Sequence, residues 1–321
     1  MRGVAPQPVI LMYHRIGHPL VDPWGLAVRP EYFEQHLDVL CRSRQPLSLF
    51  EFVQRLQQRT LPRDAVGVTF DDGYVDNLRE AKPRLEASAV PATVFVTTGT
   101  VGQRHEYWWD ELARAILLRR APLDCEVVIA GEPCRLQFAA LDVVDQGTTW
   151  RAAEQPRTER ESTYLAVWRR LQVVPAVERR AAMDRLRNEL DPPRADEADL
   201  PMTGNEIASL SAGGLIQIGG HTVTHPVLPT LDPVERRREI LDGKLACEGY
   251  AGRRITGFAY PHGAVDADSR AAVRESGFVW ACSTDSRAVS ARDDDVFALP
   301  RVVVPDVDGR VFSRTLNDVC H

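Results

Sequence analysis

Short apolar segments alternate with amphipathic ones near both ends of the 321-residue chain, and this alternation constrains the fold more than any other feature. Residues 9–13 (VILMY) form a continuous apolar run, as a buried strand requires. Residues 31–40 place Phe33, Leu37 and Leu40 on one helical face. Strands that alternate with helices predict a parallel sheet, because each parallel strand needs a crossover connection to the next.

The same alternation extends along most of the chain. Capping boxes at Ser48 with Glu51 and at Thr203 with Glu206 open two further helices, and residues 77–87 are predicted to form another. Further strands are predicted at residues 66–70, 92–97, 216–219, 255–259, 279–283 and 298–304. Roughly eight strand–helix repeats predict an α/β fold, a distorted and incomplete (β/α) barrel.

The alternation stops between residues 102 and 201. This stretch is expected to contain a helix at 109–118, a hairpin at 125–138 that turns at Gly131, and a long charged helical region at 158–190. We therefore predict a barrel domain formed by residues 1–101 and 202–321, with residues 102–201 as an insertion.

Composition excludes several classes of protein. The net charge of −6 and the lack of a long basic run argue against a nucleic-acid partner.

No segment approaches the roughly 20 apolar residues of a membrane span, and none resembles a signal-peptide core followed by a cleavage site. We therefore expect a cytoplasmic location. The six cysteines include no CxxC pair, which disfavours a zinc ribbon. Nothing in the sequence indicates the oligomeric state.

Several polar residues stand where predicted strands end. In parallel barrels the chemistry lies at the carboxyl ends of the strands. That rule selects a short set: His14, Asp71 with Asp72, His221, and Tyr260 with Pro261. A chain of this length can bury a sufficient core without a metal, so a bound metal would be expected to serve chemistry.

Two motifs in this set point to a metal. Residues 69–74 (TFDDGY) place Asp71 and Asp72 at an apolar strand end, which is costly unless a cation lies between them. The alternative is a solvated Asp-Asp-Gly turn. Residues 219–226 (GGHTVTHP) contain His221 and His225, which would share one face if the chain turned into a helix there. The alternative is two unrelated histidines in a loop.

Together the two motifs indicate a catalytic zinc site. One aspartate and two histidines supply three ligands and leave a fourth position for water. The other aspartate could then take a proton from that water.

The order of the motifs resembles the polysaccharide deacetylase family, also called the NodB-homology family or carbohydrate esterase family four. The resemblance rests on TFDDGY, GGHTVTHP and then residues 258–263 (FAYPHG), and it covers residues 8–100 and 202–305. It implies a metal-dependent hydrolase that removes an N-acetyl group from an acetamido sugar or glycan. The implied cofactor is a divalent metal, foremost Zn²⁺, while Co²⁺, Ni²⁺ and Fe²⁺ suit the same ligands.

The resemblance also implies roles for single residues. Asp71 corresponds to the catalytic base, and Asp72, His221 and His225 correspond to the metal ligands. The backbone N–H of Tyr260 corresponds to the group that helps to hold the oxyanion.

The third motif departs from the family pattern. Many members have an arginine there that tethers the catalytic aspartate, and FAYPHG has none. We propose that Arg301, in a Leu-Pro-Arg segment, pairs with Asp71 instead; a surface or structural ion pair of Arg301 is the alternative. His262 stands where an aromatic residue is usual and is expected to contact the sugar, together with Tyr74 and Pro261.

The acid is expected at the other end of the chain. Residues 10–16 (ILMYHRI) resemble the sub-group, acting on poly-N-acetylglucosamine, in which the strand with the acid histidine is permuted to the front. His14 is therefore assigned as the acid, with a strand-end histidine bonded to backbone as the alternative. Trp108, between Tyr107 and Trp109, is expected either to stack on a sugar or to anchor the insertion.

Two other functions stay open at this point. The chain could hydrolyse another amide, or an O-acetyl ester, on a small molecule or carrier-linked sugar. It could also be a non-catalytic glycan-binding module, although such a module has no reason to keep a base beside a metal. The sugar, its chain length and its carrier are not determined by the sequence.

Overall fold

The computed structural model describes residues 6–140, 150–192, 194–290, 292 and 294–319. Within these residues the chain forms two compact units. The first comprises the described residues of Met1–His18, Leu26–Gly102 and Pro201–His321, and the second those of Pro19–Gly25 and Gln103–Leu200.

The regular elements follow the predicted alternation. The strands are β1 (Val9–Tyr13), β2 (Arg15–Ile16), β3 (Ala27–Val28), β4 (Gln45–Pro46), β5 (Ala65–Phe70), β6 (Ala92–Val96), β7 (Leu123–Ile129), β8 (Glu132–Phe138), β9 (Ile216–Gly220), β10 (Gly257–Ala259), β11 (Trp280–Cys282) and β12 (Val302–Val303). The α-helices are α1 (Pro30–Ser43), α2 (Leu49–Gln57), α3 (Lys82–Ala87), α4 (Trp108–Leu117), α5 (Glu159–Val173), α6 (Ala176–Leu190), α7 (Gly204–Ser211), α8 (Pro233–Ala251), α9 (Ala267–Glu275) and α10 (Gly309–Asp318). Among the described residues, none of these helices has the length and apolar character needed to cross a bilayer.

The first unit is built on one parallel sheet. Its strand order is β11-β10-β9-β6-β5-β1-β12, with β4 beside the start of β5. A single parallel bridge between Cys282 and Leu299 also ties β11 to the segment that leads into β12. Helices surround the curled sheet, which confirms the predicted distorted and incomplete (β/α) barrel.

The register of the sheet aligns the carboxyl ends of its strands. Tyr13 lies opposite Phe70, and Val96 lies opposite Gly220. All residues of β1, β5 and β6 are buried, because these strands are covered on both faces. The residues that follow these strands therefore emerge together at one edge of the core.

Three elements differ from their predictions. The strand expected at 298–304 is reduced to the two residues of β12. The long helical region at 158–190 is two helices, because Pro175 interrupts the pattern between them. The helix expected at 77–87 begins with a π-helical turn at Asn77–Ala81, a feature that often occurs near functional sites.

The second unit has its own apolar core. β7 and β8 form the predicted hairpin, whose two-residue turn has positive φ at Ala130 and Gly131, as a type I′ turn requires. Helices α4, α5 and α6 supply most of the rest of the buried cluster, including Leu112, Tyr164 and Leu186, and Trp150 and Ala152 complete it.

Residues 19–25 also belong to this unit and not, as predicted from the sequence, to the barrel domain. The Trp24 indole N–H donates to the Tyr164 hydroxyl at 2.7 Å, and its ring centroid lies 4.3 Å from that of Trp168. These contacts join positions about 140 residues apart, so a local pattern could not reveal them.

A buried histidine links α1 to the end of the first unit. The Nε2–H of His36 donates to the Val307 carbonyl at 2.7 Å, so Nδ1 accepts from the Tyr13 hydroxyl at 3.3 Å. Burial lowers the pKa of His36 from 6.5 to about 4, although the Val307 carbonyl and the carboxylates of Asp306 and Asp308 oppose the shift.

This lowered pKa predicts a loss of stability in acid. Between pH 6.5 and about 4 the unfolded chain binds a proton at His36 that the folded chain does not, so the unfolding free energy falls as pH falls. We expect His36→Gln to remove about 3 kcal/mol of that fall, measured by urea unfolding across this range. His18→Gln, at a 60% exposed side chain, is the matched control. An unaltered pH dependence in His36→Gln would contradict the assignment.

Candidate metal and catalytic site

The site begins where the parallel ladder ends. The Asp71 N–H donates to the Tyr13 carbonyl at 3.0 Å, and the His221 N–H donates to the Val96 carbonyl at 3.1 Å. The Thr97 N–H donates to the carbonyl of Asp72 at 3.0 Å. These bonds carry the sheet pattern beyond the strands and fix the backbone that bears the site residues.

Asp72, His221 and His225 bring three donor atoms around one point. The Asp72 Oδ1 atom lies 3.5 Å from Nε2 of His221 and 3.4 Å from Nε2 of His225. Ligands at roughly 2.0–2.1 Å from a tetrahedral ion lie about 3.3–3.4 Å from one another. The measured spacing therefore fits a divalent cation. Within the described residues, no other group of histidine, cysteine and acidic side chains has such spacing.

His221 is held in the form that binds a metal. Its Nδ1–H donates to the Ala259 carbonyl at 2.7 Å, which directs the lone pair of Nε2 toward Asp72. Burial lowers the pKa of His221 to about 4, against the opposing effects of Asp71 and of the Ala259 hydrogen bond. At neutral pH the imidazole is therefore neutral, as a metal ligand must be.

The backbone of these residues is strained. Asp72, Thr222 and His225 have φ values of 73°, 65° and 56°, in the left-handed region that non-glycine residues seldom adopt. Such conformations cost about 1–3 kcal/mol each and persist where the surroundings enforce them. Residues 221–225 form a tight loop and not a helix. The expectation that a helical face would bring His221 and His225 together is wrong, because the loop itself makes the two rings converge.

Asp71 is held apart from this group by Arg301. Two guanidinium nitrogens donate to the two Asp71 carboxylate oxygens at 2.6 and 2.7 Å. Arg301 also donates to the Thr69 hydroxyl at 3.2 Å and to the Ser283 carbonyl at 2.9 Å. The pair that the Leu-Pro-Arg segment suggested is thus present, and Arg301 has no exposed surface.

The ion pair keeps Asp71 charged. Burial by itself would raise the pKa of Asp71, but the positive charge of Arg301 and its hydrogen bonds outweigh that effect and lower the pKa to about 2. Asp71 is therefore ionised at neutral pH, and its two oxygens are fixed in orientation by a bidentate partner.

His14 lies half-buried beside this pair. It is near enough that its charge would lower the pKa of both Asp71 and His221. The Asn77 side-chain amide donates to the His14 carbonyl at 2.8 Å and fixes this strand end. No sequence motif identifies Asn77, since an asparagine in a helical segment carries no local signal for such a contact.

Tyr260 does not fit its predicted role. Its backbone N–H donates to the Cys282 carbonyl at 3.1 Å as part of the sheet, so it cannot serve an oxyanion. Its hydroxyl donates to the Phe297 carbonyl at 2.9 Å inside the core. The prediction of Tyr260 as an oxyanion donor is wrong, because the ladder between β10 and β11 continues through it.

Two predicted sugar contacts are also buried. Tyr74 has no exposed surface, and the guanidinium of Arg15 lies 4.6 Å from the centroid of its ring. Pro261 is buried as the first residue of a 3₁₀ turn. Side chains that pack in the core cannot stack on a substrate, so both assignments are corrected.

His262 and Trp108 are more open. His262 is exposed, has φ of 58°, and its ring centroid lies 4.4 Å from that of His225. Trp108 is half-buried in the second unit, where its ring centroid lies 5.9 Å from that of Trp168. The packing of Trp108 agrees with an anchoring role inside that unit. Sugar contacts by either residue remain predictions.

The site residues lie within segments that match a known family. A family model described as polysaccharide deacetylase matches residues 58–118 and 194–281, which contain Asp71, Asp72 and both histidines of the loop. The Bacillus subtilis protein YxkH, a polysaccharide deacetylase by name, is 33% identical over 105 residues. Over these segments the chain is therefore similar to polysaccharide deacetylases. The match to YxkH covers 32% of this chain and 36% of that protein, about a third of each.

Solved structures show the same fold. The Streptococcus pyogenes deacetylase PplD, in complex with acetate, has a TM-score of 0.61 at 17% identity, with 98% of this chain and 99% of that chain covered. IcaB from Ammonifex degensii has a TM-score of 0.59 at 19% identity, with 97% of each chain covered.

The donor geometry predicts a single strong divalent-metal site. We expect the protein to bind one equivalent of Zn²⁺. His225→Ala should weaken that binding by more than about 100-fold, since residues that only hydrogen-bond to metal ligands already contribute about 10–100-fold to the affinity. Competition with a chromogenic chelator gives the affinity, and metal analysis gives the stoichiometry. His18→Ala, at an exposed histidine, should bind as tightly as the unaltered protein. Equal binding by His225→Ala would remove this residue from the ligand set.

Proposed function

We propose that this chain is a metal-dependent deacetylase that removes the N-acetyl group from an acetamido sugar or glycan and releases acetate. One observation carries the proposal. Three metal-binding donors converge within 4.8 Å, and the carboxylate next to one of them in sequence is held separately by a buried arginine. A binding module does not need that second, oriented carboxylate.

Asp72, His221 and His225 would hold the cation, with Zn²⁺ the first candidate from the two nitrogen donors and one oxygen donor. When bound, a divalent ion would polarise a carbonyl group and lower the pKa of coordinated water to about 7. All three side chains are largely buried, and that of His225 is the most exposed of them, at 10%.

Asp71 is proposed as the base that accepts a proton from the attacking water. A carboxylate with a pKa of about 2 is a weak base, so it cannot deprotonate unactivated water. The low pKa therefore agrees with a site in which Asp71 works together with a cation. Arg301 occupies one lone pair on each Asp71 oxygen, and the remaining lone pairs can accept the proton.

His14 is proposed as the acid. Cleavage of the amide releases an amine, a poor leaving group unless its nitrogen is protonated as the C–N bond breaks. An imidazole suits this role because its ordinary pKa lies near neutrality. The position of His14 after β1, beside Asp71, supports the resemblance to the sub-group with an acid histidine near the N-terminus.

The same chemistry would serve an O-acetyl ester or another amide. An ester releases an alcohol, which needs less help from an acid than an amine does. The relative rates on matched amides and esters therefore separate these substrate classes.

The role of Asp71 is tested by Asp71→Asn. We expect acetate release from N-acetylglucosamine oligomers to fall by about 10²–10⁴-fold, the usual contribution of a general base. Zn²⁺ affinity should stay within a few-fold, since Asp72 and both histidines remain. A panel that adds nucleotide-linked and lipid-linked acetamido sugars would identify the preferred substrate class.

The matched control is Asp306→Asn. Asp306 also forms an ion pair with an arginine, since the Nε atom of Arg29 lies 2.9 Å from Asp306 Oδ2. Asp306 lies outside the proposed site. Turnover by this variant should equal that of the unaltered protein. Wild-type turnover by Asp71→Asn would exclude Asp71 as the base, and a wild-type protein that binds metal but releases no acetate from any substrate would exclude the proposed function.

The role of His14 predicts a dependence on the leaving group. We expect His14→Gln to lower amide hydrolysis by about 10²-fold while changing hydrolysis of 4-nitrophenyl acetate by less than about 10-fold, because a nitrophenolate leaves without protonation. Both rates are measured on the same metal-loaded preparation. An equal loss on the two substrates would argue for a structural role of His14.

A further inference from the structure

We propose that Glu239, in helix α8, is a positioning residue that fixes the conformation of residues 221–225 and so sets the metal affinity of the site. This inference rests on the proposed metal-dependent function. Glu239 belongs to none of the motifs described above, and it lies 14 residues beyond His225 in the chain.

Glu239 makes three hydrogen bonds to the segment between the two histidines. Its Oε2 atom accepts from the backbone N–H of Val223 at 2.9 Å and from that of Thr224 at 2.8 Å. Its Oε1 atom accepts from the Thr224 hydroxyl at 2.7 Å. One carboxylate thus binds both consecutive N–H groups at the tip of the loop.

The carbonyl groups of the same segment are bound from the other side. The N–H of Thr98 donates to the Thr222 carbonyl at 3.1 Å, and the N–H of Gly99 donates to the Val223 carbonyl at 2.7 Å. The Thr97 hydroxyl donates to the His221 carbonyl at 3.3 Å. The segment after β6 therefore holds the carbonyls, while α8 holds the N–H groups.

Two glycines allow this close approach from both sides. A Cβ atom on Gly99 would lie 2.5 Å from the Val223 carbonyl oxygen, and one on Gly243 would lie 2.8 Å from the Thr222 carbonyl carbon. Gly243 lies inside α8, where glycine is unfavourable, so its presence agrees with a need for close packing against the loop.

These contacts act on a strained segment. Thr222 and His225 both have left-handed φ values, which their residue types disfavour. The loop also sets the position of the His225 ring, whose Nε2 lies 3.4 Å from Asp72. Without the Glu239 carboxylate, the N–H groups of Val223 and Thr224 would lose their acceptor, and the loop could relax to a geometry in which the two imidazoles no longer bind one ion.

A positioning role and a general structural role predict different results. If Glu239 only stabilises the fold, its removal lowers the unfolding temperature of the metal-free protein and leaves the Zn²⁺ affinity of the folded protein unchanged. If Glu239 positions the ligands, the affinity itself falls. The Zn²⁺ dissociation constant of metal-free protein is therefore the readout, and turnover is not needed.

We expect Glu239→Ala to weaken Zn²⁺ binding by about 10–100-fold in a chelator competition, the usual effect of residues that orient metal ligands. Glu239→Gln should stay within about three-fold of the unaltered protein. Its amide oxygen can accept from both N–H groups, and its amide nitrogen can donate to the Thr224 hydroxyl. Glu239→Asp, whose shorter side chain does not reach both N–H groups, should weaken binding although it keeps the charge.

Glu235→Ala is the matched control, at an exposed glutamate one turn earlier in α8, and it should bind Zn²⁺ normally. Circular dichroism of each metal-free variant checks folding, and Glu239→Asp serves if Glu239→Ala does not fold. Unchanged affinity in Glu239→Ala, or in Glu239→Asp where the alanine variant is unfolded, would overturn the proposal. Equal losses in Glu239→Ala and Glu239→Gln would overturn it too. Failure of the unaltered protein to bind Zn²⁺ would instead overturn the metal site itself.

Discussion

The parallel register of β1, β5, β6 and β9 decides where the candidate site residues lie. β1 ends opposite the end of β5, and β6 ends opposite the end of β9, while the last residue of β5 lies opposite Val94, two residues before the end of β6. The next residues along each chain segment therefore emerge at one edge of the core. The ladder then continues through the N–H groups of Asp71 and His221. Asp72 and His221, about 150 residues apart in sequence, are thereby brought together, so that Asp72 Oδ1 lies 3.5 Å from His221 Nε2.

This edge is buried, which makes its charges interdependent. Asp71 and Asp72 are nearly inaccessible, and Arg301 is completely so. Removal of one partner from a buried ion pair typically costs about 3–5 kcal/mol, because the other charge is left uncompensated. Arg301 compensates Asp71 with two hydrogen bonds, and the two histidines next to Asp72 complete a donor set that suits a cation. The separation of the two neighbouring carboxylates into different surroundings allows them to have different roles.

The loop from His221 to His225 shows how geometry is imposed on an unfavourable backbone. Its polar groups are bound by α8 on one side and by the segment after β6 on the other. Most of these contacts are to main-chain groups of the loop, and Glu239 also accepts from the Thr224 hydroxyl. A helical arrangement of the same two histidines would have needed no such support.

The sequence by itself determined the order of strands and helices, the motifs at the strand ends and the three donors that converge there. Hydrophobic periodicity and position at a strand end are local properties, so they can be recognised from neighbouring residues in the sequence. Only the tertiary structure decided which polar groups were already engaged. The Tyr260 N–H is taken by the sheet, Tyr74 is enclosed by the core, residues 19–25 pack with the second unit, and Glu239 reaches the histidine loop. Each of these outcomes depends on a partner from a distant part of the chain. A hydrogen bond or a buried contact between distant residues produces no periodic pattern in the sequence around either residue.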